Sequence, residues 1–267
     1  MTTPGTYRWN STAFAEGYDQ AAEVIHPRYL EIQDAILSLL PSALQEGDLV
    51  VDLGGGSGRL VERILDRWPV TATVVDQSEP FLALAERRLA RFGSRAICVL
   101  AKLQDRWLNQ LPAHPSAIVS MSAIHHLEPA EKQQVYRQCC EALLPGGVLL
   151  NGDEVRAEDN DQYRAALWAW AGHMRHAMAG GNIPTSFHPA LEKWIDRNVT
   201  RFGEPKHSGD DCHETIAAQL GYLHAAGFAA ADCPWQQDLW AILRGSNRGG
   251  ARAPSQEAGE NAEVARN

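Results

Sequence analysis

Val50-Val51-Asp52-Leu53-Gly54-Gly55-Gly56-Ser57-Gly58-Arg59-Leu60 is the stretch that decides the fold of this chain. The short apolar run at its start reads as a buried strand. Four glycines in five residues then make a turn, and a helical pattern runs from Leu60 to Trp68. Only glycine lets a backbone bend this tightly and bring its amides against a ligand with no Cβ in the way. The helix that follows points its partly positive N-terminus into the same crevice. An α/β sheet binds its ligands there, beyond the carboxyl ends of its strands.

Spacing narrows the ligand. A dinucleotide site needs G-x-G-x-x-G, but counting from Gly54 the third glycine falls on Arg59, and counting from Gly56 it falls on Val61. No Gly-Lys-Ser/Thr closes the turn as a P-loop would require. What stands here is acidic-x-G-x-G-x-G, made by Asp52, Gly54, Gly56 and Gly58. A second acidic residue, Asp76, ends the next apolar run, Thr73-Val74-Val75-Asp76. It stands at the distance where a carboxylate takes a ribose hydroxyl pair.

These residues resemble the class I S-adenosylmethionine (SAM)-dependent methyltransferases, in which the acidic-x-G-x-G-x-G turn and the acidic end of the second strand bind the cofactor. The resemblance covers residues 48–155 and, more loosely, 213–244. It implies an α/β, Rossmann-like sheet of seven mostly parallel strands, the last antiparallel, with helices on both faces. It also implies SAM as cofactor, held by Asp52, Gly54, Gly56, Gly58, Asp76, Gln77, Leu103, Ser120, Tyr18 and Tyr29.

The chain has 267 residues, 45% of them hydrophobic, enough for one α/β domain with an insertion. Its 24 Lys and Arg against 33 Asp and Glu give a formal charge of -9. A negative surface repels phosphate backbones and disfavours a nucleic-acid substrate. The sequence has neither an 18-residue apolar run nor a basic-then-apolar start, so the expectation is a soluble, cytoplasmic protein that binds no membrane. Five scattered cysteines without a C-x-x-C read as reduced thiols.

Taken in order, residues 1–11 are polar and read as loose, and helical patterns follow over Thr12 to Ile25 and Pro27 to Leu40, with Pro27 suited to a first helical position. Residues 1–47 together resemble the N-terminal lid of small SAM enzymes, where Y-D followed by P-x-Y packs over the cofactor. Tyr18-Asp19 and Pro27-Arg28-Tyr29 carry that likeness, with Tyr18, Arg28 and Tyr29 as the side chains to face the ligand. Strand Leu49–Leu53, helix Gly58–Trp68, strand Ala72–Asp76, helix Glu79–Phe92 and strand Ala96–Leu100 alternate as βαβ units do. In the loop Ala101-Lys102-Leu103-Gln104-Asp105 the family usually has an acidic residue for the adenine amine. Lys102 stands there instead, leaving Leu103 and Asp105 as the candidates.

Strand Ala117–Met121 runs into Ser122-Ala123-Ile124-His125-His126-Leu127, which resembles the S-x-x-H-H-L form of the family's fourth motif. Helix Pro129–Leu143, the L-x-P-G-G turn Leu143–Gly147 and strand Val148–Gly152 follow, with Asp153 and Glu154 at that strand's carboxyl end. Residues 156–212 leave the alternation and read as a helical cap over the substrate, between strands five and six. Three tryptophans there, Trp168, Trp170 and Trp194, are core or the wall of an aromatic acceptor pocket. Helix His213–Ala226 ends at Gly227, and Phe228–Trp235 with Leu239–Leu243 form a terminal antiparallel pair. Residues 245–267 have no apolar stripe and read as a disordered tail.

SAM carries its own electrophile, so a protein base is needed only where the acceptor has a proton to lose. Histidine suits that role, and His125, His126 and Glu154 are the catalytic candidates. The insertion is also rich in histidine. His173 and His176 share a helix face, and Asp210, Asp211 and Cys212 follow in sequence. Without H-E-x-x-H or C-x-x-C spacing, the expectation is no bound metal; one that did bind would orient an acceptor's oxygens.

The leading reading is a SAM-dependent methyltransferase acting on a small molecule through an O, N, S or C nucleophile, as a monomer or homodimer. One rival follows from Ile25-His26-Pro27-Arg28-Tyr29, which is similar to the P-x-Y helix of carboxy-SAM synthase. There an arginine would hold the incoming carboxylate, and Arg28, Arg156, Arg175, Arg197 and Arg201 are the candidates. The other rival, RNA or protein methylation, needs a basic face that the charge balance does not favour.

Overall fold

The computed structural model describes residues 8–249. Seven strands form one sheet: β1 (Leu49–Leu53), β2 (Thr71–Asp76), β3 (Ala96–Leu100), β4 (Ala117–Met121), β5 (Val148–Glu154), β6 (Ala230–Gln237) and β7 (Trp240–Ser246). Their order is β3-β2-β1-β4-β5-β7-β6, with β7 antiparallel to both of its neighbours and every other pair parallel. The order in which strands are added reverses between β1 and β4. That switch point opens the crevice above the carboxyl ends of both strands.

The alternation along the strands feeds two cores. Val50, Val74, Val119 and Leu150 pack with α1 (Thr12–Ile25), α2 (Tyr29–Leu39), α3 (Arg59–Arg67) and α4 (Glu79–Leu89) on one face. On the other, Val51, Val75, Ile118 and Leu149 pack with α5 (Pro129–Ala142) and α8 (Ile216–Ala226). Between β5 and α8 the chain forms α6 (Asn160–Ala179) and α7 (His188–Ile195), whose Trp170, Met174 and Leu191 join the first core. Among the described residues no helix is long and apolar enough to cross a membrane.

Several boundaries differ from those read in the sequence. Pro27 does not open α2; it lies in a turn, and Arg28 caps the helix with φ 68°. α4 gives way to 3-10 turns at Ala90, where Gly93 breaks the helical backbone. α7 stops at Ile195 and continues as a wider turn over Asp196–Thr200. His213 precedes α8, which starts at Ile216 with Thr215 as its cap. Gly245 and Ser246, read as tail, pair with Leu149 and Val148 of β5 and belong to the sheet; residues 250–267 lie outside the described part. Trp9, in a segment read as loose, packs edge-on against Phe14 and Tyr18, with ring centroids 4.9 and 5.3 Å away.

Candidate active site

Two adjoining cavities open where β1, β4 and β5 end. The first is lined by Asp52, Gly54, Gly55, Gly56 and Ser57 of the glycine turn, with Asp76, Gln77, Phe81, Leu103 and Gln104 beside them. Two glycines are dictated by space. Gly54 holds φ 69° and a Cβ there would lie 2.4 Å from that of Ala123; one on Gly55 would lie 2.6 Å from Asp52 Oδ2. The turn is fastened from α1: Ser57 Oγ donates to Asp19 Oδ1 at 2.5 Å, and Arg59 and Arg88 both donate to the same carboxylate at 2.9 Å.

The donors and acceptors in this crevice fit SAM. Asp52 is buried, its Oδ1 has no hydrogen-bond partner in the protein, and it faces the crevice. Burial and the nearby Asp76 charge push its pKa up to about 8. A buried acceptor without a donor is costly, and a ligand's ammonium or hydroxyl would relieve it. Asp76 accepts from the amides of Gly56 at 3.0 Å and Ser78 at 2.8 Å, while burial raises its pKa to about 6. Leu103 and Phe81 give the apolar faces that a purine ring needs.

Not every residue expected here arrives. Ser120 is fully buried and donates to Leu53 O at 2.8 Å, away from the crevice lining. Gly58 is the N-cap of α3 and packs on Leu89 rather than lining the cavity. Asp105 accepts from Lys102 N at 3.0 Å and does not line the crevice, whereas Gln104, its neighbour, does. Tyr18 and Tyr29 both line it, but Arg28 turns outward to Glu31 and Asp238, at 2.8 Å from each.

The second cavity shares Trp9, Tyr18, Ser122 and His126 with the first. Its far wall is aromatic and apolar: Phe14, Trp170, Met174, Phe187, Leu191 and Trp194. Trp168, grouped with the other tryptophans by sequence, is 53% exposed and faces away. The remaining wall is charged. His26, His125, Glu154, Asp211 and His213 meet there, and all five are buried.

His125 is the hub of that wall. Its Nδ1 donates to Asp153 Oδ1 at 2.6 Å and lies 2.8 Å from Glu154 Oε2. Its Nε2 faces Asp211 Oδ1 at 3.6 Å, and His126 Nδ1 lies 3.3 Å from the same oxygen. Burial alone would lower the pKa of His125, but Glu154 and Asp153 outweigh it and raise it well above the usual imidazole range. Burial lifts Glu154 to about 7, against the pull of His125. Asp211 is held far below the usual carboxylate range, its burial outweighed by hydrogen bonds and charge from His125 and His126. Burial takes His26 and His213 down to about 3. Tyr18 bonds His26 Nε2 at 2.9 Å, and Tyr163 bonds His213 Nδ1 at 2.7 Å.

The sequence points to His125, His126 and Glu154 but gives no signal that Trp9, His26, Asp211 and His213 join them, because they come from three separate segments. His173 and His176 are not part of this wall; His173 Nε2 is bonded to Val24 O at 2.6 Å.

Comparison with known proteins agrees with this geometry. Residues 50–147 match the model of a methyltransferase domain. An uncharacterized methyltransferase of Geobacillus thermodenitrificans is 27% identical over 62% of this chain and 74% of its own length. The carboxy-S-adenosyl-L-methionine synthase of Desulfotalea psychrophila is 24% identical over 59% of this chain and 64% of its own. Among solved structures, an O-methyltransferase family protein from Burkholderia thailandensis superposes with a TM-score of 0.62 at 17% identity, covering 93% of this chain and 65% of that one. The chain thus spans roughly two thirds of the length of these proteins.

Proposed function

We propose that this chain, whose residues 50–147 match a methyltransferase domain, is a class I SAM-dependent methyltransferase that methylates a small, largely apolar acceptor held in the second cavity. The observation that carries this reading is the shared wall: Tyr18, Ser122 and His126 border both cavities, so an acceptor's reacting atom there adjoins the cofactor crevice. SAM, when bound, supplies a methyl group on a sulfonium, already activated for transfer.

The work left to the protein is binding, alignment and exclusion of water. Gly54 to Ser57, Asp52 and Asp76 would hold the cofactor's polar groups. Trp170, Phe187 and Trp194 would clamp a flat acceptor by stacking and burial. The charged wall would receive the acceptor's polar end. Glu154 Oε2, buried and without a hydrogen-bond partner, is placed to accept a hydroxyl or amine proton from it. Ser122 Oγ donates to the other oxygen, Oε1, at 2.9 Å and fixes the carboxylate's direction. A formal charge of -9 and a cavity walled by aromatic rings both favour a small molecule over RNA.

A release assay for S-adenosylhomocysteine, run across phenols, amines, thiols and carboxylic acids, tests this. The expected result is turnover with a hydroxylated or aminated aromatic, its mass raised by one methyl group. Binding of SAM without turnover on any class would contradict it.

The likeness to carboxy-SAM synthase keeps a second reading in view, that the enzyme alters SAM itself. Its requirement for a guanidinium in the site counts against it. Arg28, Arg156, Arg175, Arg197 and Arg201 line neither cavity, and Arg59, which reaches the crevice, is paired with Asp19 and Glu23. Mass spectrometry of the co-purified nucleotide separates the two readings, since a carboxylated SAM is heavier.

A further inference from the structure

We propose that His125, His126 and Asp211 form a binding site for one divalent first-row transition-metal ion, set in the charged wall of the second cavity. The inference rests on reading that cavity as the acceptor's. Three donor atoms converge: His125 Nε2, His126 Nδ1 and Asp211 Oδ1, all within 4.8 Å of one another. The separations from Asp211 Oδ1 are 3.6 Å to one ring and 3.3 Å to the other. They suit the edges of a coordination shell. Bonds of about 2.0–2.2 Å place neighbouring ligand atoms about 3.0–3.5 Å apart.

Each donor is already aimed. Asp153 accepts from His125 Nδ1, so an ion that displaces the Nε2 proton would meet the Nε2 lone pair on the side of Asp211. This carboxylate–histidine pairing is the arrangement that orients metal-ligating imidazoles. Asn198 Nδ2 donates to Asp211 Oδ2 at 2.6 Å and turns Oδ1 toward the two rings. The carbonyl oxygen of Asp210, 3.2 Å from His126 Nδ1, adds a further oxygen on that side.

A second, independent observation is a buried acidic oxygen left without a partner. Glu154 is 1% exposed, and its Oε2 has no hydrogen-bond partner although it faces this cavity. The single Nδ1 proton of His125 is committed to Asp153 and cannot serve it as well. Three carboxylates, Asp153, Glu154 and Asp211, therefore sit buried around two imidazoles. A cation set among these acidic oxygens would be stabilised by them. Lys132, the nearby buried lysine, is spent on Cys212 O and Glu214.

Two nitrogens and one carboxylate select zinc, manganese, iron, cobalt or nickel over magnesium and calcium. The open coordination positions would face Trp170, Trp194 and Phe187, where an acceptor's hydroxyl or paired oxygens would lie beside the shared wall. The ion's role would be to hold that oxygen and favour its anionic form.

The test is metal binding itself, on full-length protein stripped with chelator. Cobalt(II) should give a visible absorption band that saturates at one ion per chain. Calorimetry with zinc should give the same stoichiometry. Asp211→Asn, at a residue that lines the second cavity but not the cofactor crevice, should weaken binding at least about tenfold while SAM still binds. His126→Ala should do the same for the metal, its fold checked by circular dichroism, and His173→Gln should change nothing. Wild type that binds SAM but takes up no ion, or variants that bind the ion as tightly as wild type, would overturn the site and leave the methyltransferase reading standing. Wild type that binds the ion but no SAM would instead refute the acceptor role on which the proposal rests.

Discussion

Asp153 clamps His125 twice: one carboxylate oxygen accepts from its ring Nδ1 at 2.6 Å and the other from its backbone amide at 2.8 Å. The end of β5 thereby fixes both the position and the tautomer of a histidine carried by the turn after β4. Asp153 lines neither cavity, so it acts through His125 rather than on a ligand. Replacing it with Asn should leave SAM affinity unchanged and lower kcat about ten- to hundredfold, the usual cost of losing an orienting partner. Steady-state kinetics beside calorimetry checks the split; equal losses in both would mean a general collapse of the site.

Asp52 makes the unliganded protein sensitive to pH. Its folded pKa of about 8 lies above the ordinary 3.8, so the fold keeps a proton that the unfolded chain gives up. That contribution is complete below about pH 3.8 and is lost as pH rises through about 8. Asp76 adds the same sign over the narrower range up to about 6. Thermal unfolding from pH 5 to 9 should show stability falling with pH. Asp52→Asn should flatten that slope and raise the melting temperature at pH 8, while weakening SAM binding about tenfold by removing a charged acceptor.

Gly54→Ala should damage both the turn and the fold. A left-handed backbone costs alanine about 1–2 kcal/mol, and its Cβ would also overlap Ala123. Denaturant unfolding should show a loss of at least about that size. Calorimetry should show SAM binding weakened further. Unchanged values would mean that the turn is held less rigidly than its contacts imply.

How much of the molecule is legible in its sequence depends on how local each feature is. The glycine turn, Asp52, Asp76 and the alternation of strands with helices are short-range patterns, and the family resemblance they carry implies the seven-stranded sheet that is found. The S-x-x-H-H-L phrase marks His125 and His126 in the same way, through neighbours only a few residues apart. Ser120 is misplaced by such a reading because strand alternation turns its hydroxyl under the sheet onto Leu53 O. Asp211, 85 residues beyond His126, carries no local spacing toward it; only the packing of the segment after α7 against the β4 turn joins them, through Cys212 N donating to His125 O at 2.8 Å and Gly209 N to His126 O at 2.8 Å. The histidines of α6 read as metal candidates because they share a helix face, yet α6 presents Trp170 and Met174 to the cavity instead.

Titration calorimetry of S-adenosylhomocysteine into wild type and Asp76→Ala tests the central claim most directly, that the glycine turn and the carboxylate ending β2 form a nucleoside-binding crevice. The account predicts one site per chain in wild type and affinity at least about tenfold lower in the variant, since the ribose hydroxyls lose their acceptor. No heat in wild type, or the same affinity in both proteins, would contradict it.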